Sequence, residues 1–498
     1  MSFSPLPLGQ RIPPSVHGVS CSLPTMRSVI GYEEKDPEIT QHLTSGYPRF
    51  VQHPFLKAAA LVLLRHAGLE HHQAWPVASR RAALALQQWL EPVVTQVIEH
   101  EGLYGVAFPD NTETNGRAKT WLQHCGALAS TRATEDFLVR VGDRASLYPE
   151  ETFVGDAEAR VRTYLRQAFA PAADDDLFLA NSGMNAIWAA FRAVSAVQAP
   201  RGRKVWVQFG WLYLDTIAIL QKFTGSPGNY VHHADVFDLD GLRRLFADRG
   251  GEIAGVITEV PTNPLLQTPD LAAVHELCRT HGALLVVDPT ISSPLAIDVL
   301  PHSDVVVNSL TKYTASEGDI LFGACVLRPG LPDATSLRAL IAGELEPVHS
   351  RDLARLAAQI GDTAAVVRQT QISAARVVEF LRGHPRVRSV LWALEPQSKD
   401  NYLRLARSPD AIGSMISFTV EGPLAAFYDV LRLPKGPSFG MKTTLICPFI
   451  YLAHYDLVNT DAGRAQLARH GLTPDLLRLS VGCEPVDDII AALSEALG

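Results

Sequence analysis

From Asp174 to Arg328 the sequence alternates short apolar runs with amphipathic stretches of helical period, and this alternation restricts the fold more than any other feature of the chain. LFLA, KVWVQF, AGVITEV, ALLVVD, DVVVNS and GACVLR have the length and composition of strands buried on both faces. The stretches MNAIWAAFRAVSAV, YLDTIAILQKF and DLAAVHELCRTHG carry apolar residues three and four apart, as one face of a helix does. Strands alternating with helices predict an α/β fold, a parallel or mixed sheet covered by helices. Such sheets bind ligands in the crevice outside the carboxyl ends of their strands. Polar residues at those ends are therefore where chemistry is sought.

The rest of the 498 residues divides around this unit. Residues 1–54 are rich in Pro, Gly and Ser without sustained period and read as an extended arm. Residues 55–150 read as a mainly helical insertion, because LKAAALVLLRHAGLE and SRRAALALQQWLEPVVTQVIEH hold helical spacing on either side of Trp75-Pro76. The α/β domain is assigned to 151–344. Residues 345–498 form a long helical zone to 384, then GSMISFTV, TTLICPF and LLRLSVG as strands and a last helix, an α+β domain.

Charge and cysteine content exclude several functions. Forty-four basic against 52 acidic residues leave a net charge of −8, so no cationic field is available for nucleic acid or an anionic membrane. The six cysteines are far apart, with no C-x-x-C pair and no zinc spacing, which predicts buried thiols and no metal. The longest apolar run, 58–64, is far short of the ~20 residues that span a bilayer. A soluble, cytoplasmic protein is expected.

Four groups at strand ends and one inside an apolar run stand out. Asp288 follows ALLVV and is either a helix cap or a group aimed at a ligand. Lys312 closes DVVVNSLTKY; it is either a surface lysine on a short turn or an ammonium held near a buried strand end, where burial is costly. Ser182, Gly183 and Met184 open a helix after LFLA, as an ordinary N-cap or as a seat for phosphate on free backbone N–H groups. Asn263 sits in the Pro-stiffened EVPTNP loop. Arg478, inside LLRLSVG, needs a carboxylate partner, structural or substrate. A phosphate seat, an acid for a ring nitrogen, an asparagine for a ring substituent, a lysine for an aldehyde and an arginine for an α-carboxylate are together the needs of pyridoxal 5′-phosphate acting on an amino acid.

In these motifs the chain resembles the pyridoxal-phosphate-dependent enzymes of Cys/Met metabolism, which have the aspartate-aminotransferase fold. The matches are SGM at 182–184, ExPTNPLLQ at 259–267, VVDPT at 286–290, SxTKY at 309–313 and LLRLSVGCE at 476–484. The arm, with SLPT and GYEEKDPEI, is most like fungal-type cystathionine γ-synthases. The resemblance implies that Lys312 anchors the cofactor and shuttles protons, and that Asp288 pairs with the pyridine nitrogen. Asn263 would contact the ring oxygen, while Ser182, Gly183, Met184, Ser309 and Thr311 hold the phosphate. It further implies that Tyr47 and Arg49 reach that phosphate from a neighbouring copy, so the site is shared in a dimer or tetramer. Tyr213 would stack on the ring, with Phe209-Gly210 as the other register. Arg478 and Ser438 would face a small amino-acid substrate. The implied reaction is replacement at the γ-carbon of an O-acyl-homoserine by cysteine, with γ-elimination, sulfhydrylation or a catalytically idle binding protein as alternatives. Two departures bear on substrate: Thr443 stands where the family has a glutamate, and Ser316-Glu-Gly-Asp319 replaces G-H-S-D. The 132 residues between Arg49 and Ser182 exceed the compact members.

Overall fold

The structure, a computed structural model, describes residues 3–44 and 51–498. The arm departs from the extended expectation. Two short strands, β1 (Arg11–Ile12) and β2 (Ser20–Cys21), pair antiparallel, and Met26–Glu33 is a helix started by a capping box between Thr25 and Ser28. Eight residues are too few to display a period, and tertiary contacts supply what propensity lacks. Cys21, Leu23, Met26 and Val29 are buried in the core of the C-terminal domain. Tyr428 Oη donates to the Leu23 carbonyl at 3.0 Å, Lys435 Nζ to the Pro24 carbonyl at 2.7 Å, and the Met26 N–H to Asp429 Oδ1 at 2.8 Å.

Residues 55–150 contain four helices, Pro54–Ala67, Arg80–Trp89, Thr112–Cys125 and Thr131–Arg140, but also a sheet that their apolar spacing concealed. Strands β3 (His72–Val77), β4 (Gln96–His100) and β5 (Leu103–Pro109) pair antiparallel in the order β3-β5-β4. The helix expected to run to residue 100 stops at Trp89, because Pro92 biases the residue before it away from helical angles. The chain then turns back through Glu101 and Gly102, both at positive φ, as a two-residue hairpin requires.

The large sheet has seven strands: β6 (Leu177–Ala180), β7 (Val205–Phe209), β8 (Tyr230–His233), β9 (Ile253–Glu259), β10 (Leu284–Asp288), β11 (Val305–Asn308) and β12 (Gly323–Leu327). Their order is β6-β12-β11-β10-β9-β7-β8, with β12 antiparallel to both neighbours and the remaining pairs parallel. Six of these strands are the apolar runs read from sequence. The seventh, β8, is a half-buried edge strand, YVHH, without the apolar run of an interior strand. Alternate residues feed two cores: Leu285, Val287 and Val306 face one side, while Val286, Val305 and Val307 face the helix Gly183–Gln198 on the other.

In the last domain, β13 (Val387–Leu391), β14 (Met415–Val420), β15 (Leu445–Pro448) and β16 (Leu477–Ser480) form an antiparallel sheet ordered β13-β14-β16-β15. The helices Thr363–Gly383 and Val486–Leu497 share its core. All six cysteines are free thiols, five of them buried. Among the described residues, no helix is long and apolar enough to cross a membrane, and no group of His, Cys, Asp and Glu side chains has the arrangement of a metal site.

Candidate active site

The carboxyl ends of β6, β9, β10 and β11 lie along one edge of the large sheet, and the C-terminal domain faces that edge. Between them is a cavity of about 540 Å³. Asp288, Lys312, Arg478, Asn263 and Tyr213 line it, as do Ser182, Gly183, Met184, Ser309 and Thr311. Residues spread over nearly 300 positions of sequence are therefore brought to one space, as strand ends of an α/β sheet allow.

Two acids form its floor. Asp288 ends β10 and Glu259 ends β9, and the parallel register sets them side by side. Burial pushes Asp288 up to about 6, although Thr290 N–H at 2.9 Å, the Thr290 hydroxyl and the Lys312 ammonium oppose the shift. Burial and the neighbouring Asp288 carry Glu259 well above the usual carboxylate range, against a 2.5 Å hydrogen bond from the Tyr213 N–H. Acids held up by burial inside a cavity await a cation or a proton.

The helix Gly183–Gln198 points its first turn into the same space. Ser182 caps it, its Oγ accepting from Asn185 N–H at 3.2 Å. The N-cap and anion-seat readings are thus compatible, since one hydroxyl satisfies one N–H and the other orphan donors of the first turn stay available. Gly183 is required by close approach: a Cβ there would lie 2.7 Å from the Ser309 Cβ. Ser309 N–H donates to Thr290 Oγ1 at 2.9 Å, which ties the lysine segment to the Asp288 loop. The Thr311 hydroxyl accepts from Phe322 N–H at 3.0 Å and donates to the Phe322 carbonyl at 3.3 Å, so part of its capacity braces the loop between β11 and β12.

Lys312 is buried in that loop, its Nζ 5.1 Å from the centre of the Phe439 ring. The next residue, Tyr313, sits at φ +54°, a conformation costly for an aromatic residue. It is held there by its N–H to the Gly440 carbonyl at 2.7 Å and its hydroxyl to the Ile291 carbonyl at 2.8 Å. The strain is thus stabilised from two directions, beside the residue of greatest chemical interest.

Arg478 lies in β16, 5 % exposed. Its Nη1 donates to Asn263 Oδ1 at 3.1 Å, and its guanidinium rests between Phe439 and Phe449 at 5.1 and 4.5 Å from the ring centres. Among the described residues no carboxylate lies within ion-pair distance of it. A planar cation oriented this way and open to a cavity is built to receive a carboxylate in a bidentate fashion.

Of the two aromatic registers, Tyr213 lines the cavity, whereas Phe209 is fully buried in the sheet core against His233. Ser438 is buried behind the lining and its neighbour Phe439 faces the space. Thr443 is also absent from the lining; the adjacent Thr444 is held by Glu484 through its N–H and hydroxyl. Tyr47 and Arg49 lie outside the described residues. Sequence reading gave no role to Glu259, Thr290, Phe439 or Phe449. Only Thr290 had a usable signal, a hydroxyl two residues beyond the strand-end acid.

The donor set fits pyridoxal phosphate. A helix N-terminus suits its phosphate, a buried acid of raised pKa suits a pyridinium nitrogen, and Lys312 lies within the influence of that acid. Comparison with known proteins agrees. Residues 167–498 match the model of the Cys/Met metabolism PLP-dependent enzymes. The chain is 37 % identical over 485 residues to an L-2-amino-4-chloropent-4-enoate dechlorinase/desaturase of Streptantibioticus cattleyicolor, covering 97 % of each chain. It is 31 % identical to the cystathionine γ-synthase of Neurospora crassa over 65 % of this chain and 52 % of that one. Among solved structures, the cystathionine γ-synthase of Xanthomonas oryzae pv. oryzae, in complex with aminoacrylate and cysteine, superposes with a TM-score of 0.55 at 26 % identity, over 71 % of this chain and 92 % of that one. With the cavity residues in place and two thirds of the chain matching one family, this protein is a pyridoxal-phosphate-dependent enzyme of the Cys/Met metabolism family.

Proposed function

We propose that the enzyme labilises the α-proton of an amino acid and expels a leaving group from its γ-carbon. The observation that carries this is the shared cavity of Lys312, Asp288 and an Arg478 that has no acidic partner among the described residues. Pyridoxal phosphate, when bound, supplies an electron sink for the carbanion. Arg478 receives the α-carboxylate, oriented by Asn263 and desolvated by Phe439 and Phe449. Asp288 holds positive charge at the ring nitrogen. The Lys312 amine takes the proton from Cα and then serves Cβ. Ser182, Gly183, Met184 and Ser309 seat the phosphate, with Thr311 bracing the loop beside it, and Tyr213 covers the ring. Tyr47 and Arg49 complete the phosphate site of a neighbouring copy in a homo-oligomer.

In the first reading the leaving group is the carboxylate of an O-acyl-homoserine. The Cγ–O bond breaks, the sulfur of cysteine bonds to Cγ, and the thiol proton is released with the departing acid. This is the cystathionine γ-synthase reaction, which belongs to transsulfuration and methionine biosynthesis. A second reading is favoured by the dechlorinase/desaturase, whose similarity spans the arm and residues 55–150 as well. Its named substrate carries chlorine on C4, which is the γ-carbon, and loss of chloride there needs no thiol. Incubation with O-acetyl- and O-succinyl-homoserine, with and without cysteine, and with 2-amino-4-chloropent-4-enoate, followed by mass identification of products, tests both. Thioether formed only with cysteine supports replacement, chloride release without thiol supports elimination, and turnover of none of these compounds overturns γ-carbon chemistry.

A further inference from the structure

The cavity has a wall that the family motifs do not supply. The arm helix Met26–Glu33 and the turn after it present Tyr32, Glu33 and Lys35 to it, the helix Thr112–Cys125 presents Lys119 and Gln123, and Asp456 comes from the C-terminal domain. Glu33 is the informative residue. The other carboxylates near these elements in the arm and in residues 55–150 are spent or turned away: Glu34 accepts from Tyr455 Oη at 2.6 Å, Asp36 and Glu38 pair with Arg27, Asp110 accepts from Gln73, and Glu113 is exposed in the first turn of its helix without lining the cavity. Glu33 alone among these lines the cavity, and no cation lies within ion-pair distance of it among the described residues.

The nearest ammonium in sequence, Lys35, donates to the Tyr32 carbonyl at 3.1 Å and rests 4.7 Å from the centre of the Tyr32 ring. It is therefore held to the helix end. Burial pushes Glu33 up to about 7, with Asp456 adding to the rise and Lys35 opposing it. The helix that carries Glu33 is fixed by its capping box and by Asp429, Tyr428 and Lys435 of the C-terminal domain. A half-buried carboxylate on a rigid element, facing a cavity with no cation at ion-pair distance among the described residues, gains by receiving a cationic group.

We propose that Glu33 receives the ammonium of the incoming thiol and so selects amino-thiols such as cysteine. This rests on the γ-replacement reading. The arm and the inserted segment then have a function beyond packing: they supply the charged wall of the cavity.

A charge series of thiols tests it. Cysteamine is cationic, 2-mercaptoethanol neutral and 3-mercaptopropionate anionic, and each is offered to the holoenzyme with whichever homoserine ester it accepts. In Glu33→Gln the cysteamine to 2-mercaptoethanol ratio of kcat/KM falls about three- to tenfold, as one partly solvated ionic contact allows, and the relative use of 3-mercaptopropionate rises. Turnover of the neutral thiol is unchanged, which shows that the variant folds, and Glu33→Asp restores part of the preference. An unaltered ratio with neutral-thiol turnover intact overturns the role of Glu33 alone. Absence of thioether from every thiol in the unmodified enzyme overturns the replacement reading, and this inference with it.

Discussion

Two regions of this enzyme bury carboxylates, and they treat them in opposite ways. In the cavity, Asp288 and Glu259 stand side by side and are both pushed up. Where the arm, residues 55–150 and the helix Ser350–Gln359 meet, Arg132 binds Glu150 through Nε and Nη2, Asp352 through Nη1 at 3.1 Å and the Asp319 carbonyl at 2.8 Å. Arg351 bridges Glu135, Asp136 and Glu150, Arg355 binds Asp319, and His17 of the arm lies 3.3 Å from Glu135. Burial raises Glu135 there too, yet the adjacent His17 and hydrogen bonds from the Tyr148 N–H and Arg351 outweigh it and hold the acid down at about 2. The difference lies in the cations. One region contains its own and is a structural clamp; the other leaves its acids short of cations, as a binding site does.

Removing the lysine from the cavity tests the sharpest side of this contrast. Lys312→Ala should lower turnover of the accepted γ-substituted amino acid by about 10⁴-fold, through loss of a positioned base and nucleophile, with an unchanged melting profile of the apoenzyme. Turnover within tenfold of the unmodified enzyme would remove Lys312 from the chemistry.

Breaking the clamp should do the reverse. Arg132→Ala leaves Glu150 and Asp352 without their main cation and should destabilise the fold by about 3–5 kcal/mol in urea unfolding, while the folded fraction keeps its cofactor absorbance. A cost below about 1 kcal/mol would mean that the clamp is no more than a surface ion pair.

The smallest effect concerns pH. Asp288 has a folded pKa raised above its unfolded value near 3.9, so its contribution to stability is full below that value and lost as pH rises through about 6. Glu135 has the opposite sign: its contribution is full above about 4.3 and lost as pH falls towards about 2. Asp288→Asn should therefore stabilise the apoenzyme by about 1–2 kcal/mol at pH 7 and not at pH 3.5, because the site sacrifices stability for function. Urea unfolding at the two pH values measures it, and an equal effect at both would show that Asp288 carries no burial penalty.

Much of the cavity was legible because strand ends announce themselves. Asp288, Lys312 and the Ser182–Met184 turn each adjoin an unmistakable apolar run, and a parallel sheet carries such ends to one edge. Glu259 escaped notice because its role comes from register with Asp288, a relation between strands. Phe439 flanks a guanidinium from a loop and Phe449 from the start of a five-residue helix, and no periodicity marks either. The hairpin at residues 96–109 was hidden because Leu, Val and Ile at helical spacing also suit strands, and only the positive φ at Glu101 and Gly102 separates the two.

The linear order of apolar runs was enough to specify the α/β class, the edge where ligands bind and the kinship of the motifs, since burial periodicity is a local property. Which acid of the arm faces the cavity was not local. Glu33 and Glu34 are adjacent and chemically alike, and only the docking of a two-turn helix onto the C-terminal domain turns the first into the cavity and ties the second to Tyr455. Side-chain direction on a helix changes by about 100° per residue, so the distinction between neighbours belongs to packing and not to composition.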